Sequence, residues 1–164
     1  MNTLIDTLLL GTGATALMDA WGIARRPIAG FPAPDYGHVG RWLGHMPRGR
    51  FRHEAIARAG HIKGERFAGW TVHYLIGITY AVLLLAIAGR GWLQQPTLLP
   101  AVLVGIGTVA APFLLMQPAM GAGIAASRTP RPGLARIHSL LMHTVFGLGL
   151  YLTGLALHWL QSVR

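Results

Sequence analysis

The hydrophobic residues of this chain are gathered into four long runs, and the segments between them carry most of the charged residues. Each run reaches the ~20 residues that an α-helix needs to cross a hydrocarbon layer of about 30 Å. We therefore predict four membrane-spanning helices, over residues 3–23, 67–88, 97–126 and 137–160. The pattern predicts an all-α, polytopic four-helix bundle that forms a single membrane domain, residues 1–164.

The basic residues are divided unequally between the connections. Most of the 14 Lys and Arg lie between the first and second runs, and Arg128, Arg131 and Arg136 lie between the third and fourth. By the positive-inside rule, these two connections are cytoplasmic and both termini lie outside. The formal net charge of +9 is therefore explained by the basic residues of the cytoplasmic connections. We expect no nucleic-acid partner.

The composition agrees with this class of protein, because 52% of the residues are hydrophobic, 12% are charged, and the mean hydropathy is +0.46. The chain has no cysteine, which excludes disulfides, thiolate metal sites and Fe–S clusters. It has no nucleophile motif, phosphate-binding glycine loop or HExxH zinc motif. The sequence thus favours a protein without catalytic activity over a lipid-acting membrane enzyme.

The first cytoplasmic connection, residues 24–66, is predicted to contain two short helices. Asp35 is positioned to cap a helix that runs through Met46, and a second short helix is predicted over residues 53–59. The arginines around them are typical of interfacial helices on anionic lipids: Arg41, Arg48, Arg50 and Arg52. A solvated basic loop that only fixes the topology is the alternative interpretation.

Each of the four runs carries one strongly polar residue, and these residues are Asp19, His73, Gln117 and His143. An uncompensated polar group in hydrocarbon is costly, so such groups usually face the interior of a bundle. His73 and His143 each follow an arginine, Arg66 and Arg136, by seven residues, which puts both rings ~10 Å inside the cytoplasmic boundary. We therefore predict that the four residues form one buried cluster.

The two halves of the chain are similar to each other at spaced positions. The residues that recur are Gly11 with Gly105, His73 with His143, and Gly77 with Gly147. Because both halves begin outside the membrane, the similarity predicts a tandem two-helix repeat whose pseudo-twofold axis runs along the membrane normal. Chance similarity in a chain rich in Gly and Leu is the alternative.

Five segments distributed along nearly the whole chain resemble one protein family. They are Gly13-Ala-Thr-Ala-Leu-Met-Asp19-Ala-Trp21, Arg41-Trp-Leu-Gly-His-Met46, Gly69-Trp70 with His73-Tyr74, Ala111-Pro-Phe-Leu-Leu-Met-Gln-Pro118, and Ser139-Leu-Leu-Met-His-Thr-Val-Phe-Gly-Leu-Gly-Leu-Tyr151. The family they resemble is an uncharacterised group, a domain of unknown function, of small bacterial inner-membrane proteins. The resemblance implies four helices in the bacterial inner (plasma) membrane, and it implies no activity.

The predicted cluster is suited to a metal ion. Two imidazoles and a carboxylate, from His73, His143 and Asp19, are ligands for a first-row ion such as Cu, Zn, Fe or Mn. Gln117 or water would complete the shell. Nearby methionines would favour Cu(I) if their thioethers faced the ion, and these are Met18, Met116, Met120 and Met142. Methionines that only fill the core are the alternative, because adjacent residues of a helix point about 100° apart and cannot all face the ion.

A b-type haem is an alternative ligand for the same cluster. His73 and His143 would be its axial ligands, and Arg66 and Arg136 would contact its propionates. Three other functions are also open: a structural membrane subunit whose polar cluster only fixes helix packing, a proton or solute path, and a lipid-acting enzyme. We favour metal-ion or cofactor binding, in a protein that either forms a homo-oligomer or is a subunit of a larger membrane complex.

Overall fold

The structure is a computed structural model that describes residues 3–25 and 35–163. Within those ranges the chain forms helices and no strands, which confirms the all-α prediction. The longer helices are α1 (Thr3–Ala24), α2 (Tyr36–His45), α3 (Glu65–Ala88), α4 (Leu98–Gly107) and α5 (Pro132–Ser162). The shorter elements are a π-helical turn (Pro112–Met116), an α-helical turn (Gln117–Ala119) and 3-10 helices at Met46–Arg48, Ile56–Arg58, Arg90–Leu93 and Ile124–Ala126.

Three helical spans of the described chain are long and apolar enough to cross a membrane. They are Glu65–Ala88, Leu98–Ala119 and Pro132–Ser162, and they agree with a membrane protein. α1 has 22 residues but is not among them, because Asp6, Asp19 and several threonines lower its mean hydropathy. The predicted count of four spanning helices is therefore not reached in the described ranges, and the positions of the termini stay a prediction.

The third apolar run is not the continuous helix predicted over residues 97–126. Pro112 has no N–H and its ring crowds the carbonyl four residues earlier, so the helix opens into the π-helical turn. The span ends at Ala119, and Gly121 and Gly123 follow with positive φ angles of 96° and 75°. Hydropathy alone does not mark this end, since residues 119–126 contain only Ala, Met, Gly and Ile.

The described residues form two compact units. Unit 1 takes its residues from Met1–Ala33, Tyr74–Thr108 and Leu140–Arg164, and unit 2 takes them from Pro34–His73 and Val109–Ser139. α3 and α5 each contribute residues to both units. Unit 1 contains the larger apolar core, whose fully buried side chains include Leu10, Leu84 and Leu150.

The helices of unit 1 approach one another closely at glycines. Gly11 of α1 lies against Gly77 and Ile78 of α3, and Gly105 of α4 lies against Gly147 of α5. A Cβ on Gly105 would lie 2.5 Å from the Gly147 Cα and 2.7 Å from its N, so this approach requires glycine. Small residues at such crossings allow the close van der Waals packing that associates helices in lipid.

Unit 2 is built around α2 and the first turns of α3. Gly40 and Gly69 bring these helices into backbone contact, because a Cβ on Gly40 would strike the Glu65 carbonyl and one on Gly69 would strike the Tyr36 carbonyl. As predicted, Asp35 caps α2, and its carboxylate accepts a hydrogen bond from a backbone N–H of the first turn at 2.9 Å. The sequence thus encodes both the start of α2 and its contact with α3.

The chain after α2 packs on the end of the span Leu98–Ala119. The His53 N–H donates to the Ala119 carbonyl at 2.8 Å, and the Ile56 N–H donates to the Met120 carbonyl at 3.0 Å. These bonds satisfy carbonyls that the end of a helix leaves without intrahelical donors. In place of the short helix predicted over residues 53–59, the structure has a single 3-10 turn, Ile56–Arg58.

Candidate functional site

The four polar residues predicted to form one cluster are divided between the units. Asp19 and His143 belong to unit 1, while His73 and Gln117 belong to unit 2. Among residues 3–25 and 35–163, no group of three or more His, Asp or Glu side chains is placed to hold a metal ion. The metal site predicted on these residues and the haem predicted between His73 and His143 therefore receive no support and stay predictions.

His143 is held in one orientation by α4. Its Nδ1 lies 3.0 Å from the Thr108 Oγ1 and 3.2 Å from the Gly105 carbonyl oxygen. The Thr108 hydroxyl donates its own proton to the same carbonyl at 2.6 Å, so the histidine Nδ1 is the donor in both of its contacts. The lone pair of the ring therefore resides on Nε2, and the surroundings fix the tautomer as well as the orientation.

Removal of the hydroxyl that holds His143 should have a measurable effect. We expect Thr108→Val to lower the free energy of unfolding by about 1 kcal/mol, because the His143 N–H loses the nearer of its two acceptors. Thermal unfolding of the purified protein in detergent measures the change. Thr79→Val is the control, since Thr79 donates to the Leu75 carbonyl of its own helix. Equal losses in the two variants would contradict the role assigned to Thr108.

Asp19 and His73 both have local partners. The Tyr74 hydroxyl donates a hydrogen bond to the Asp19 carboxylate. The His73 ring stacks on Tyr36, with ring centroids 3.9 Å apart, and meets Trp70 edge-on at 5.8 Å. Because Tyr36 belongs to α2, this aromatic group joins α2 to α3.

The other predicted site residues differ in their surroundings. Gln117 Nε2 lies 3.5 Å from Ser139 Oγ, which is a long contact, and Gln117 Oε1 is buried without a partner among the described residues. Arg136 donates from Nε to the Ala125 carbonyl at 2.8 Å, and Arg66 is exposed. Arg136 thus holds the preceding loop, and the propionate contacts predicted for Arg66 and Arg136 receive no support.

Arg41 has extensive hydrogen bonding in unit 2, although the sequence grouped it with arginines that are typical of interfacial helices. Arg41 is only 4% exposed. Its Nε donates to Glu65 Oε2 at 2.8 Å, and its Nη2 donates to Glu65 Oε1 at 2.6 Å. Its Nη1 donates to the carbonyls of Ile56 and Ala57, both at 3.2 Å. This bidentate ion pair therefore ties α2 to the start of α3 and to the chain between them.

The same bonds keep Arg41 charged. The hydrogen bond with Glu65 raises the pKa of Arg41 above its ordinary value, against the opposite effect of burial. Glu65 also accepts a hydrogen bond from the Ile62 N–H at 3.0 Å, and its Oε1 lies 3.0 Å from His61 Nδ1. The pair thus has the additional hydrogen bonds that a buried ion pair needs in order to be stable.

His45 and His53 of unit 2 form a polar pair that the sequence did not distinguish from the other loop histidines. Their ring centroids lie 5.1 Å apart, with the planes inclined at 58°. The His45 Nε2 lies 2.9 Å from the Gly60 carbonyl oxygen, to which it donates, so Nδ1 carries the lone pair. The backbone of Arg50 raises the pKa of His53 slightly, against the larger lowering by burial. Two ring nitrogens, His45 Nδ1 and His53 Nε2, are buried and have no partner in the part of the chain that the structure describes.

The pair lies in unit 2 with two of its ring nitrogens buried. Burial lowers the pKa of His53, and the neighbouring His45 and Arg50 lower it further, so the ring is neutral at pH 7. Unit 2 also has a small core of Trp42, Ile56 and Ala119, and the methionines packed against this core are Met46, Met116 and Met120. A buried polar atom without a hydrogen bond costs about 1–3 kcal/mol. Among the described residues of unit 2, the two imidazole nitrogens and Gln117 Oε1 are therefore unsatisfied polar groups.

The chain matches a family model described as "Protein of unknown function (DUF2938)" over residues 8–157. The chain belongs to this family. The match confirms the resemblance to an uncharacterised family, and it covers the helices of both units. No curated protein and no solved structure matches the chain. The family description gives no activity, so the chemistry of the site is the basis for assigning a function.

Proposed function

We propose that this chain is a membrane protein that binds one Cu(I) ion between His45 and His53 of unit 2. The observation that supports the proposal is the pair of buried nitrogens, His45 Nδ1 and His53 Nε2, which have no partner among the described residues. The opposite nitrogen of the His45 ring, Nε2, donates to the Gly60 carbonyl. Metal-binding histidines usually have this arrangement, in which one ring nitrogen is held by the protein and the other binds the ion.

The separation of the two rings suits a single shared ion. An imidazole nitrogen binds a first-row ion at about 2.0 Å, so the ion lies about 3 Å from the ring centroid. Two such rings at a tetrahedral angle have centroids about 5 Å apart, whereas rings on opposite sides of an ion have centroids about 6 Å apart. The observed separation is 5.1 Å. The rings therefore suit bent ligation, which leaves room for further ligands.

The neighbouring side chains favour Cu(I) over Zn(II). A structural zinc site takes four ligands from Cys, His, Asp and Glu. The described residues gather no third such side chain with the pair, and the chain has no cysteine. The soft donors of unit 2 include the thioethers of Met46, Met116 and Met120, which pack against its small core. Thioethers select Cu(I) among the first-row ions, and imidazole is also a good copper ligand.

The polar residues of the spanning helices have a different part in this proposal. Asp19, His73 and His143 each contact a residue of another helix: Tyr74, Tyr36 and Thr108 respectively. Such contacts fix helices against one another. We therefore assign these three residues to helix packing and assign the metal ion to the histidines of unit 2.

The glycine contacts of unit 1 support the predicted two-helix repeat. Gly11 and Gly77 bring α1 into contact with α3, and Gly105 and Gly147 bring α4 into contact with α5. The sequence similarity relates Gly11 to Gly105 and Gly77 to Gly147. Each half of the chain would therefore use the same contact between its two helices, as a tandem repeat requires.

The Cu(I) affinity of histidine variants tests the metal site. We expect the purified protein to bind one Cu(I) per chain under reducing conditions, and His45→Gln or His53→Gln to weaken binding by at least about tenfold. Glutamine retains an N–H donor in place of each ring, so these variants are expected to fold. Competition with a chromogenic Cu(I) chelator measures the affinity.

His38→Ala is the matched control for these variants. His38 also lies on α2, but its ring is near Asp35, with a separation of 3.9 Å between Nε2 and Oδ2. Its removal should leave the Cu(I) affinity unchanged. Equal Cu(I) affinity in the wild type and in the His45 and His53 variants would overturn the proposed site, and preferential binding of Zn(II) would overturn the choice of metal.

A further inference from the structure

The turn that follows α2 presents an aromatic ring and three cations at the surface. Phe51 is 59% exposed, and the exposed arginines around it are Arg48, Arg50 and Arg52. None of these guanidinium groups forms an ion pair with a described residue. A single exposed apolar ring is common on proteins. Here the ring is surrounded by three arginines, so an apolar side chain lies at the centre of a positively charged surface.

The backbone of this turn is fixed by α2 and by the turn itself. Gly49 adopts a φ of 74° and donates to the Met46 carbonyl at 2.9 Å. The Trp42 Nε1 donates to the Phe51 carbonyl at 2.9 Å, and Trp42 is itself buried. The exposure of the Phe51 side chain is therefore imposed by a turn that is hydrogen-bonded on both sides of the arginines.

We propose that residues 48–52, the anchor turn, bind the headgroups of anionic phospholipids. The guanidinium groups would pair with lipid phosphates, and the Phe51 ring would enter the boundary between headgroups and acyl chains. Two observations select this partner. The three exposed arginines form no ion pair with a described residue and would attract an anionic surface. The chain also has helices that are apolar enough to span a membrane, and the loops that connect such helices lie close to a leaflet. The proposal is independent of the Cu(I) site.

Fluorescence from position 51 tests whether the anchor turn enters a membrane interface. Because the chain has no cysteine, Phe51→Cys gives one attachment site for an environment-sensitive fluorophore on the full-length protein in lipid nanodiscs. In nanodiscs that contain phosphatidylglycerol, we expect blue-shifted emission that spin-labelled lipids quench. In neutral phosphatidylcholine we expect quenching at least about twofold weaker, because the arginines lack anionic headgroups.

A second label and a charge variant make the result specific. Ala57→Cys labels another exposed position of unit 2, and it should respond little to lipid composition. The combined substitutions Arg48→Gln, Arg50→Gln and Arg52→Gln should remove the response of position 51 to phosphatidylglycerol. The proposal is overturned if position 51 gives the same emission in both lipids or if position 57 responds equally. A blue shift produced by an oligonucleotide, but not by phosphatidylglycerol, would also overturn it and would indicate a nucleic-acid partner.

Discussion

Arg41→Ala is expected to lower the free energy of unfolding by about 2–3 kcal/mol and to disrupt unit 2, because it removes the hydrogen bonds of a buried guanidinium group. The substitution leaves the Glu65 carboxylate, whose side chain is 13% exposed, without its bidentate partner. It also removes the donors for two backbone carbonyls of the chain between α2 and α3. Since an uncompensated buried charge costs more than the lost attraction alone, the effect should be among the largest in the molecule. Unit 2 also contains His45 and His53, so this variant should lose Cu(I) binding as well.

Denaturant unfolding of the purified protein measures this effect against two related variants. Arg50→Ala is the matched control, because Arg50 is exposed and its side chain forms no ion pair in the described ranges. Its change in stability should lie within about 0.5 kcal/mol of zero. Arg41→Lys keeps the charge but not the bidentate geometry, so its stability should lie between those of the wild type and Arg41→Ala. If Arg41→Ala were as stable as Arg50→Ala, the ion pair could not be what holds α2 to α3.

Gly105→Ala is expected to lower the free energy of unfolding by about 3 kcal/mol, at the upper end of the usual cost of overpacking. The new Cβ would lie 2.5 Å from the Gly147 Cα and 2.7 Å from the His143 carbonyl oxygen. These are backbone atoms, which cannot move away by a change of rotamer. α4 and α5 would have to separate, which would also lengthen the 3.0 Å contact between Thr108 and His143.

Gly107→Ala is the control for this substitution, because it lies on the same helix two residues later. A Cβ on Gly107 would meet no atom within 4 Å. Alanine has a higher helix propensity than glycine by up to about 1 kcal/mol, so this variant should be as stable as the wild type or more stable. Thermal unfolding in detergent compares the two. A similar loss of stability in both variants would contradict the role assigned to the close approach of α4 and α5.

The helices could be predicted because each depends on a local pattern. The apolar runs gave the positions of α3 and α5, and Asp35 marked the start of α2 through its capping carboxylate. The third run could not be read correctly from hydropathy, because the backbone of Pro112, Gly121 and Gly123 ends the helix without any change in polarity. The count of four spans is not confirmed at α1, because the polar residues of this regular helix lower its mean hydropathy.

The role of Arg41 could not be predicted from its neighbours in the sequence. It lies in an arginine-rich segment, which favoured a lipid contact, and its partner Glu65 is 24 residues away. The signal that was available is the scarcity of acids, since the chain has 5 Asp and Glu against 14 Lys and Arg. The Glu65 carboxylate follows this basic segment, so several arginines are available as its partner. In the structure, α2 places Arg41 beside Glu65.

The pairing of His45 with His53 depends on contacts that helical periodicity does not describe. His45 ends α2, and the chain turns at Gly49 before His53 returns to it. The return is fixed by the bond from the His53 N–H to the Ala119 carbonyl, which lies far along the chain. The sequence therefore showed only scattered histidines in a basic loop. Two of them become a candidate metal site because the loop is closed by long-range hydrogen bonds.

X-ray absorption at the copper K edge is the most direct test of the proposed metal site. For the reduced, copper-loaded full-length protein we predict the edge of Cu(I), outer-shell scattering from two imidazole rings, and a sulphur shell from a methionine thioether. The imidazole scattering should be lost when His45→Gln and His53→Gln are combined, and it should persist in His38→Ala. Imidazole scattering that is absent from the wild type, or unchanged in the combined variant, would contradict the assignment of Cu(I) to His45 and His53.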